Sequence, residues 1–305
     1  MPRVLEYARL PTEQPNPKSR FLDRLSTAQI LRLMNREDAS VPRAVARIIP
    51  HITRAASLIV KALRGGGRLF FLGAGTSGRL GVIEAAECPP TFNTPPTMIQ
   101  AIIAGGRRAV FRSREGAEDN RRSARYEVMR RVRSKDVVVG IAASGVTPFV
   151  EAGLRAAKRR GANTVLLTCN QKPRVRSWVD IVIAPQVGPE LIAGSTRLKA
   201  GTATKLILNM LTVATMVRLG KVYGNFMIDV RPTSKKLKAR AARIVQTLGG
   251  VSHQEAIRLL RRAQGQVKPA IVMAALNIEA GTARRLLSEH HGMLRAIRPR
   301  RVHSP

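Results

Sequence analysis

Two short segments rich in glycine and hydroxyl side chains carry the clearest chemical signal in this sequence. Gly73–Gly78 (GAGTSG) and Ala143–Thr147 (ASGVT) each follow a short apolar run with the character of a strand. Backbone amides and hydroxyls at the start of a helix bind phosphate, because free N–H groups and the helix dipole both favour an anion. We therefore expect a phosphate and nearby sugar hydroxyls to be bound by Thr76, Ser77, Gly78, Ser144, Gly145 and Thr147.

Both segments have alternative interpretations. Gly73–Gly78 also matches the dinucleotide pattern G-x-G-x-x-G. A NAD site would favour an acid at the end of the next strand, and residues 102–108 (IIAGGRR) carry none, although their arginines leave NADP open. For the second segment, the alternative is that Ser144 only caps a helix.

Carboxylates are the second signal, because the chain has only 19 Asp+Glu against 53 Lys+Arg. Glu84 and Glu87 are spaced to share one face of the helix that leaves the first glycine-rich segment, and we expect Pro89 to end that helix. Glu118 lies in a second acidic group, residues 115–119. Two carboxylates facing one sugar phosphate would support acid–base chemistry. Helix capping with local ion pairs is the structural alternative for the second group, and both interpretations stay open.

Composition excludes several classes of function. The net charge of +34 is spread along the chain, aromatic residues make up only 4%, and no zinc-finger spacing occurs, so we expect no specific nucleic-acid partner. The 5 histidines lack metal-ligand spacing, and we predict no metal and no cofactor. No apolar run reaches the ~18–20 residues of a membrane span. With Cys88 and Cys169 interpreted as free thiols, we predict a cytoplasmic protein without a membrane partner.

Short apolar runs alternate with helical segments through the middle of the chain. This alternation predicts an α/β fold with a parallel five-stranded sheet flanked by helices. The predicted strands are residues 68–72, 98–104, 136–142, 164–168 and 180–184. We predict helical segments over 26–35 and 40–64, and three short helices in the last third. The predicted domains are an N-terminal helical segment (1–64), a sugar-phosphate-binding sheet domain (65–235) and a small helical domain (236–305).

Long segments of the chain resemble the N-acetylmuramic acid 6-phosphate etherases of bacteria. They include residues 73–96 (GAGTSGRLGVIEAAECPPTFNTPP), 115–120 (EGAEDN), 136–145 (DVVVGIAASG) and 194–211 (GSTRLKAGTATKLILNML). The resemblance runs from about residue 12 to about residue 297. It implies a flavodoxin-like sugar isomerase (SIS) domain, a ubiquitin-associated-like helical domain after it, and a homodimer.

The resemblance also implies the reaction, in which the ether between C3 of the sugar and D-lactate is cleaved without a metal or redox cofactor. The ring opens, the C2 proton is removed, lactate leaves from C3 and water adds, giving N-acetylglucosamine 6-phosphate and D-lactate. Glu87 of AAECPP and Glu118 of EGAED match the family's catalytic glutamates. We assign Glu118 as the C2 base and Glu87 as the acid for lactate. Arg197 and Lys199 of GSTRLKAG are expected to meet phosphate or the lactate carboxylate, and Asn16 of TEQPNP to reach a site.

The chain departs from the family pattern at two places. Val146 stands where the pattern has arginine, and Arg107, Arg108 and Arg114 stand where acidic or apolar residues are more usual. Two other functions fit the same kind of domain. An aldose–ketose phosphosugar isomerase would form a ketose without releasing lactate, and a non-catalytic sensor would bind a sugar phosphate without turnover.

Overall fold

A computed structural model describes residues 10–230, 232 and 234–297. Its main sheet has five parallel strands in the order β2-β1-β3-β4-β5. The strands are β1 (Leu69–Gly73), β2 (Ile99–Ile103), β3 (Val137–Ile141), β4 (Asn163–Leu167) and β5 (Ile181–Ile183). All five predicted strands are present, and their order is that of the flavodoxin-like sheet. The predicted α/β fold class is confirmed.

The central strands are covered on both faces. Every residue of β1 and β3 is buried, as expected where helices lie on both sides of a parallel sheet. Phe70 and Leu72 of β1 pack in one core with Val138 of β3 and Leu154 of a covering helix. The apolar runs are therefore explained by burial, with no side of these strands left for solvent.

Between residues 27 and 218 the structure describes eight α-helices. They are α1 (Thr27–Asp38), α2 (Val41–Ala46), α3 (Ile49–Arg64), α4 (Gly75–Phe92), α5 (Arg108–Phe111), α6 (Arg121–Arg131), α7 (Pro148–Arg159) and α8 (Lys199–Arg218). The single helix predicted over 40–64 is two helices. Pro50 has no N–H to donate to Ala46, so the first helix ends and the second begins with Pro50 in its first turn.

The prediction that Pro89 ends α4 is wrong. The helix continues to Phe92 with Pro89 and Pro90 inside it. Each proline removes one N–H from the helical ladder and crowds the carbonyl four residues earlier, but Asn93 N donates to Pro89 O at 2.9 Å. Helical bonding therefore resumes directly after the two prolines.

Helix α8 is the one helix in the described part of the chain that is long and apolar enough to cross a membrane. Of its most apolar stretch, 56% is buried within the protein. Its Lys205 and Thr212 both bond the buried carboxylate of Glu84, at 2.6 and 2.5 Å. We interpret α8 as a core helix, in agreement with its all-round apolar sequence.

The chain divides into two compact units. One, called here the sheet unit, comprises Met1–Ala86 and Pro96–Thr212, and the other, the helical unit, comprises Glu87–Pro95 and Val213–Pro305. This division differs from the boundary predicted near residue 235, because residues 213–230 belong with the helices that follow.

The described part of the helical unit contains more structure than we predicted. A short hairpin of β6 (Val222–Tyr223) and β7 (Phe226–Met227) precedes five helices, which are α9 (Lys235–Gly249), α10 (His253–Arg262), α11 (Val267–Leu276), α12 (Ala280–Glu289) and α13 (Leu294–Ile297). The predicted helices correspond to α10, α11 and α12. Helix α9 was missed, although its buried Ala241, Ile244 and Val245 lie at helical spacing. The ubiquitin-associated-like assignment of this unit stays a prediction.

A glycine on α7 gives a stability test of the helix–sheet contact. A Cβ at Gly153 would lie 2.3 Å from Leu72 Cδ2. We expect Gly153→Ala to lower the free energy of unfolding by about 1–3 kcal/mol, because overpacking outweighs the gain in helix propensity. Urea unfolding followed by the fluorescence of Trp178, the only tryptophan, measures this unit.

Gly201→Ala is the matched control, since Gly201 is also helical and a Cβ there would make only ordinary contacts, 3.6 Å from Thr196 O. We expect its unfolding free energy to be unchanged or raised by up to about 1 kcal/mol. Equal stability of Gly153→Ala and the wild type would contradict the predicted packing.

Candidate active site

The two hydroxyl-bearing segments meet at one edge of the sheet. Strands β1 and β3 are neighbours, and their carboxyl ends, Gly73 and Ile141, lie opposite each other. Because the chain winds outward from this pair in both directions, their carboxyl ends form the topological switch point where ligands bind in such sheets. A cavity of about 350 Å³ opens here, and its lining includes Thr76, Ser77 and Glu118.

Helix α4 brings the first hydroxyl pair to the cavity because its first turn presses against the sheet. A Cβ at Gly78 would lie 2.6 Å from Ile103 Cγ1 and 2.7 Å from Gly73 O, so only glycine permits this approach. Thr76 and Ser77 thus stand at the helix N-terminus, beside backbone N–H groups that the helix itself leaves free.

The second segment turns sharply after β3 and is fixed by β4. Gly145 has φ +75°, and a Cβ there would meet Thr168 Oγ1 at 2.9 Å. Thr168 Oγ1 donates to Ala143 O at 3.1 Å, and Asn170 Nδ2 donates to Ser144 O at 3.1 Å. Two polar residues that sequence reasoning missed, Thr168 and Asn170, therefore hold this segment in place.

The hydroxyls of this segment are not committed to helix capping. Thr147 is the N-cap residue of α7, yet its side chain makes no capping bond. Ser144 Oγ accepts only a long bond of 3.4 Å from Val146 N among the described contacts. Ser144, Val146 and Thr147 all line the cavity, so the hydroxyls are available to a ligand.

The acidic group at 115–119 supplies two carboxylates to the same cavity. Glu118 and Asp119 both line it, from a 3-10 turn at Ala117–Asp119. The capping alternative does not apply to them, because Asn120 caps α6 and its Oδ1 accepts from Ser123 N at 2.8 Å. Both acids are exposed and open to a ligand.

The cavity is electrostatically unusual for a chain with a net charge of +34. Among the described residues that line it, none is a lysine or an arginine, and three are acids: Glu13, Glu118 and Asp119. Val146, at the position where we expected arginine, also lines the cavity. An anion bound here would be held by hydroxyls and backbone N–H groups, with the field of the whole chain favouring its approach.

Comparison with known proteins identifies the family. The model of the glucokinase regulatory protein N-terminal SIS domain matches residues 51–158, and the SIS domain model matches residues 118–214. The N-acetylmuramic acid 6-phosphate etherase of Gloeothece citriformis is 51% identical to this chain over 97% of each sequence. The chain belongs to this family. The etherase of Cutibacterium acnes is also 51% identical, over 93% of this chain and 94% of that one.

A solved structure agrees with the fold. A phosphoheptose isomerase from Francisella tularensis superposes with a TM-score of 0.52 over 63% of this chain and 100% of that one, at 16% sequence identity. At this identity the likeness shows the SIS fold alone.

Two of the residues assigned from the etherase pattern lie in a buried network that does not line the cavity. Asn16 Nδ2 donates to Glu37 Oε2 at 2.9 Å, and Lys199 Nζ lies 2.8 Å from the same oxygen. Lys18 Nζ reaches Glu37 Oε1 at 2.7 Å. Glu190 accepts the backbone N–H of Lys199 at 2.9 Å. Asn16 and Lys199 thus tie the TEQPNP and GSTRLKAG segments to α1.

Two further residues of the etherase pattern are exposed. Glu87 lies near the end of α4 and Arg197 just before α8, and neither lines the cavity. Three polar residues that do line it were not among the predicted site residues: Glu13, Asp119 and Thr196. Glu13 and Thr196 belong to irregular segments, where no periodicity indicates which side chain faces inward.

Hydrogen bonds offset the cost of burying the charge of Glu37. Burial opposes ionisation of Glu37, but hydrogen bonds from Lys18, Lys199 and Asn16 outweigh it and lower its pKa from 4.5 to about 2. Burial raises the pKa of Glu190, against the lowering effect of the backbone N–H groups of Ala200 and Lys199. The network is therefore an ionised anchor at neutral pH, centred on Glu37.

Acid titration tests this anchor. Since the folded-state pKa of Glu37 is lowered, its contribution to stability is present above about pH 4.5 and is lost as the pH falls towards about 2. Glu37→Gln leaves Lys199 buried without its partner, and we expect about 3–5 kcal/mol less unfolding free energy at neutral pH. We also expect a shallower decline of stability below pH 4.5, measured by urea unfolding and Trp178 fluorescence.

Glu115→Gln, an exposed acid outside both the network and the cavity lining, is the control and should leave both quantities unchanged. A Glu37→Gln chain with wild-type stability at neutral pH would show that the network anchors nothing.

Proposed function

We propose that this cavity binds N-acetylmuramic acid 6-phosphate and that the chain cleaves its lactyl ether, giving N-acetylglucosamine 6-phosphate and D-lactate. The observation that carries the proposal is the meeting of two hydroxyl segments and Glu118 in one cavity, in a chain half identical to etherases over nearly its full length. A sugar phosphate matches this lining, which offers hydroxyls and N–H groups to the phosphate and acceptors to the sugar.

Binding divides between the two segments. Thr76 and Ser77, with the free N–H groups at the start of α4, are placed to hold the phosphate. Ser144 and Thr147 line the cavity from β3 and are placed to meet sugar hydroxyls. Gly78 and Gly145 contribute by having no side chain. A Cβ at either position would block the close approach of the backbone to its neighbours.

The chemistry needs a base at C2 and an acid at the ether oxygen. In the open-chain sugar the C1 aldehyde acidifies the C2 proton, which Glu118 takes. The C2–H electron pair is taken up by the C1 carbonyl, giving an enolate from which C2 can regain a proton. When the enolate collapses, the C1 carbonyl re-forms, a C2–C3 double bond forms, the C3–O bond breaks and the lactate oxygen receives a proton. Water then adds its oxygen to C3, C2 regains a proton from Glu118, and the water's second proton passes to the conjugate base of the acid that protonated lactate.

The assignment of Glu87 as the acid for lactate has a different basis. It rests on the AAECPP motif of the etherase family, because Glu87 is exposed and outside the cavity lining. Glu118, in contrast, is supported both by its EGAED motif and by its position in the cavity. The two assignments therefore need separate readouts.

A lactate assay with isotope exchange provides them. We expect Glu118→Gln and Glu87→Gln each to slow lactate release by about 10²–10⁴-fold, the usual size of an acid or base contribution. Exchange of the C2 hydrogen with D₂O should collapse in Glu118→Gln and persist in Glu87→Gln, because only Glu118 acts at C2. NMR of the sugar measures exchange, and an enzymatic assay measures D-lactate.

Glu115→Gln is the control for a lost surface acid. Ketose formation without lactate by the folded wild type would establish an isomerase instead, and binding of the sugar phosphate without turnover would establish a sensor.

The valine in the cavity gives a second test of this function. We expect Val146→Arg to lower the KM for the sugar phosphate several-fold, because a cation placed among hydroxyls adds charge-assisted hydrogen bonds to the substrate's anionic groups. Val146→Ala, which changes volume without charge, should not lower KM. Steady-state lactate release at low salt measures both, and an unchanged KM in Val146→Arg would place the anionic groups elsewhere.

We further propose that the protein is a cytoplasmic homodimer. The homodimer is the assembly that the resemblance to the etherases implies. Two buried thiols, Cys88 and Cys169, are not joined in a disulfide, which fits a reducing compartment.

A further inference from the structure

We propose that Glu13 is a third carboxylate of the substrate cavity, and that it binds hydroxyl or amide N–H donors of the bound sugar. This inference rests on the proposed function, which supplies a sugar phosphate as the ligand. Glu13 lines the same cavity as Thr76, Ser77 and Glu118, although it comes from an N-terminal segment outside the strand–helix alternation.

Ion pairing divides the acids of the sheet unit into two groups, and all three acids of the cavity belong to the unpaired group. Six of the thirteen acids that the structure describes in this unit are held by a cation. Those in ion pairs are Glu37, Glu84, Glu127, Asp136, Glu151 and Asp180. Glu13, Glu118 and Asp119 make no ion pair with any residue that the structure describes. What these three acids share is their place in one cavity lining that holds no described lysine or arginine, so their carboxylates are free to accept hydrogen bonds from a ligand.

The backbone around Glu13 is fixed on both sides. Glu13 N donates to Leu10 O at 3.0 Å, and Thr12 O accepts from Gly194 N at 2.9 Å. The segment continues to Asn16, which is locked into the buried network at Glu37. A carboxylate on a segment anchored in this way is held close to one position before any ligand arrives, which lowers the entropy lost on binding.

Gly194 leaves space for the carboxylate itself. A Cβ at Gly194 would lie 2.9 Å from Glu13 Oε2, and φ at Gly194 is +77°, so a side chain there would be strained as well. Thr12 Oγ1 donates to Glu13 Oε1 at 3.3 Å. One carboxylate oxygen is thus supported by its neighbour, and the other lies over a position without a side chain.

The chemistry of the lining assigns a role to this carboxylate. An ionised carboxylate only accepts hydrogen bonds, so it binds donors and repels phosphate. The phosphate is then favoured at Thr76 and Ser77, and the sugar's hydroxyls or acetamido N–H at Glu13. Glu13 therefore orients the sugar in the cavity by combining attraction for one end with repulsion of the other.

Binding measurements on the full chain test this role. We expect Glu13→Gln to weaken binding of N-acetylglucosamine 6-phosphate by about tenfold, and Glu13→Ala by more, since a charge-assisted hydrogen bond is lost. Binding of inorganic phosphate, which lacks the sugar, should stay within about twofold of the wild type. Calorimetry measures both ligands, and Glu115→Gln is the matched control with unchanged affinity for each.

Each outcome decides the inference. Wild-type affinity for the sugar phosphate in both Glu13 variants would overturn it, and so would an equal loss of phosphate binding, which indicates a loosened segment. The proposed function is tested separately by lactate release. If the wild type binds the sugar phosphate through Glu13 but releases no lactate, only the proposed function fails. If both Glu13 variants release lactate with wild-type KM and kcat, only the inference about Glu13 fails.

Discussion

The parallel pairing of β1 with β3 is the constraint on which the site depends. It brings Gly73 opposite Ile141, so two loops from distant parts of the sequence leave the sheet side by side. Glycine at Gly78 and Gly145 lets each loop turn without a clash. The hydroxyls are then carried by rigid elements, and little ordering remains for substrate binding to impose.

A second constraint lies in the buried carboxylate of Glu37. It bonds Asn16, Lys18 and Lys199 at once and stays ionised because these bonds outweigh the effect of burial. The N-terminal segment that carries Asn16 and Lys18, and the start of α8 at Lys199, are thereby tied to α1. The segment that presents Glu13 to the cavity is positioned through this network, so residues of the etherase pattern can be important without touching substrate.

The protein has a positive net charge, whereas the charged side chains that line its cavity are acids. A net charge of +34 favours the approach of an anionic sugar, whereas the described cavity lining carries acids and hydroxyls. Acids that must exchange protons with carbon and oxygen need to be free of permanent ion pairs. Because the described lining contains no lysine or arginine, its acids stay without ion pairs. The phosphate then has no lysine or arginine of the lining to pair with.

The sequence by itself determined the five strands, their parallel arrangement, the family and the two hydroxyl segments, because burial patterning and contiguous motifs are local properties. It did not show that α4 continues through Pro89, because the bond from Asn93 N to Pro89 O that continues the helix leaves no mark in residue type. It also placed Asn16 and Lys199 at the substrate, and it missed Glu13. Asn16 and Glu13 share a segment without hydrophobic periodicity, and Lys199 stands at the first residue of α8. Only tertiary contacts decide whether each of these side chains faces a buried network or the cavity.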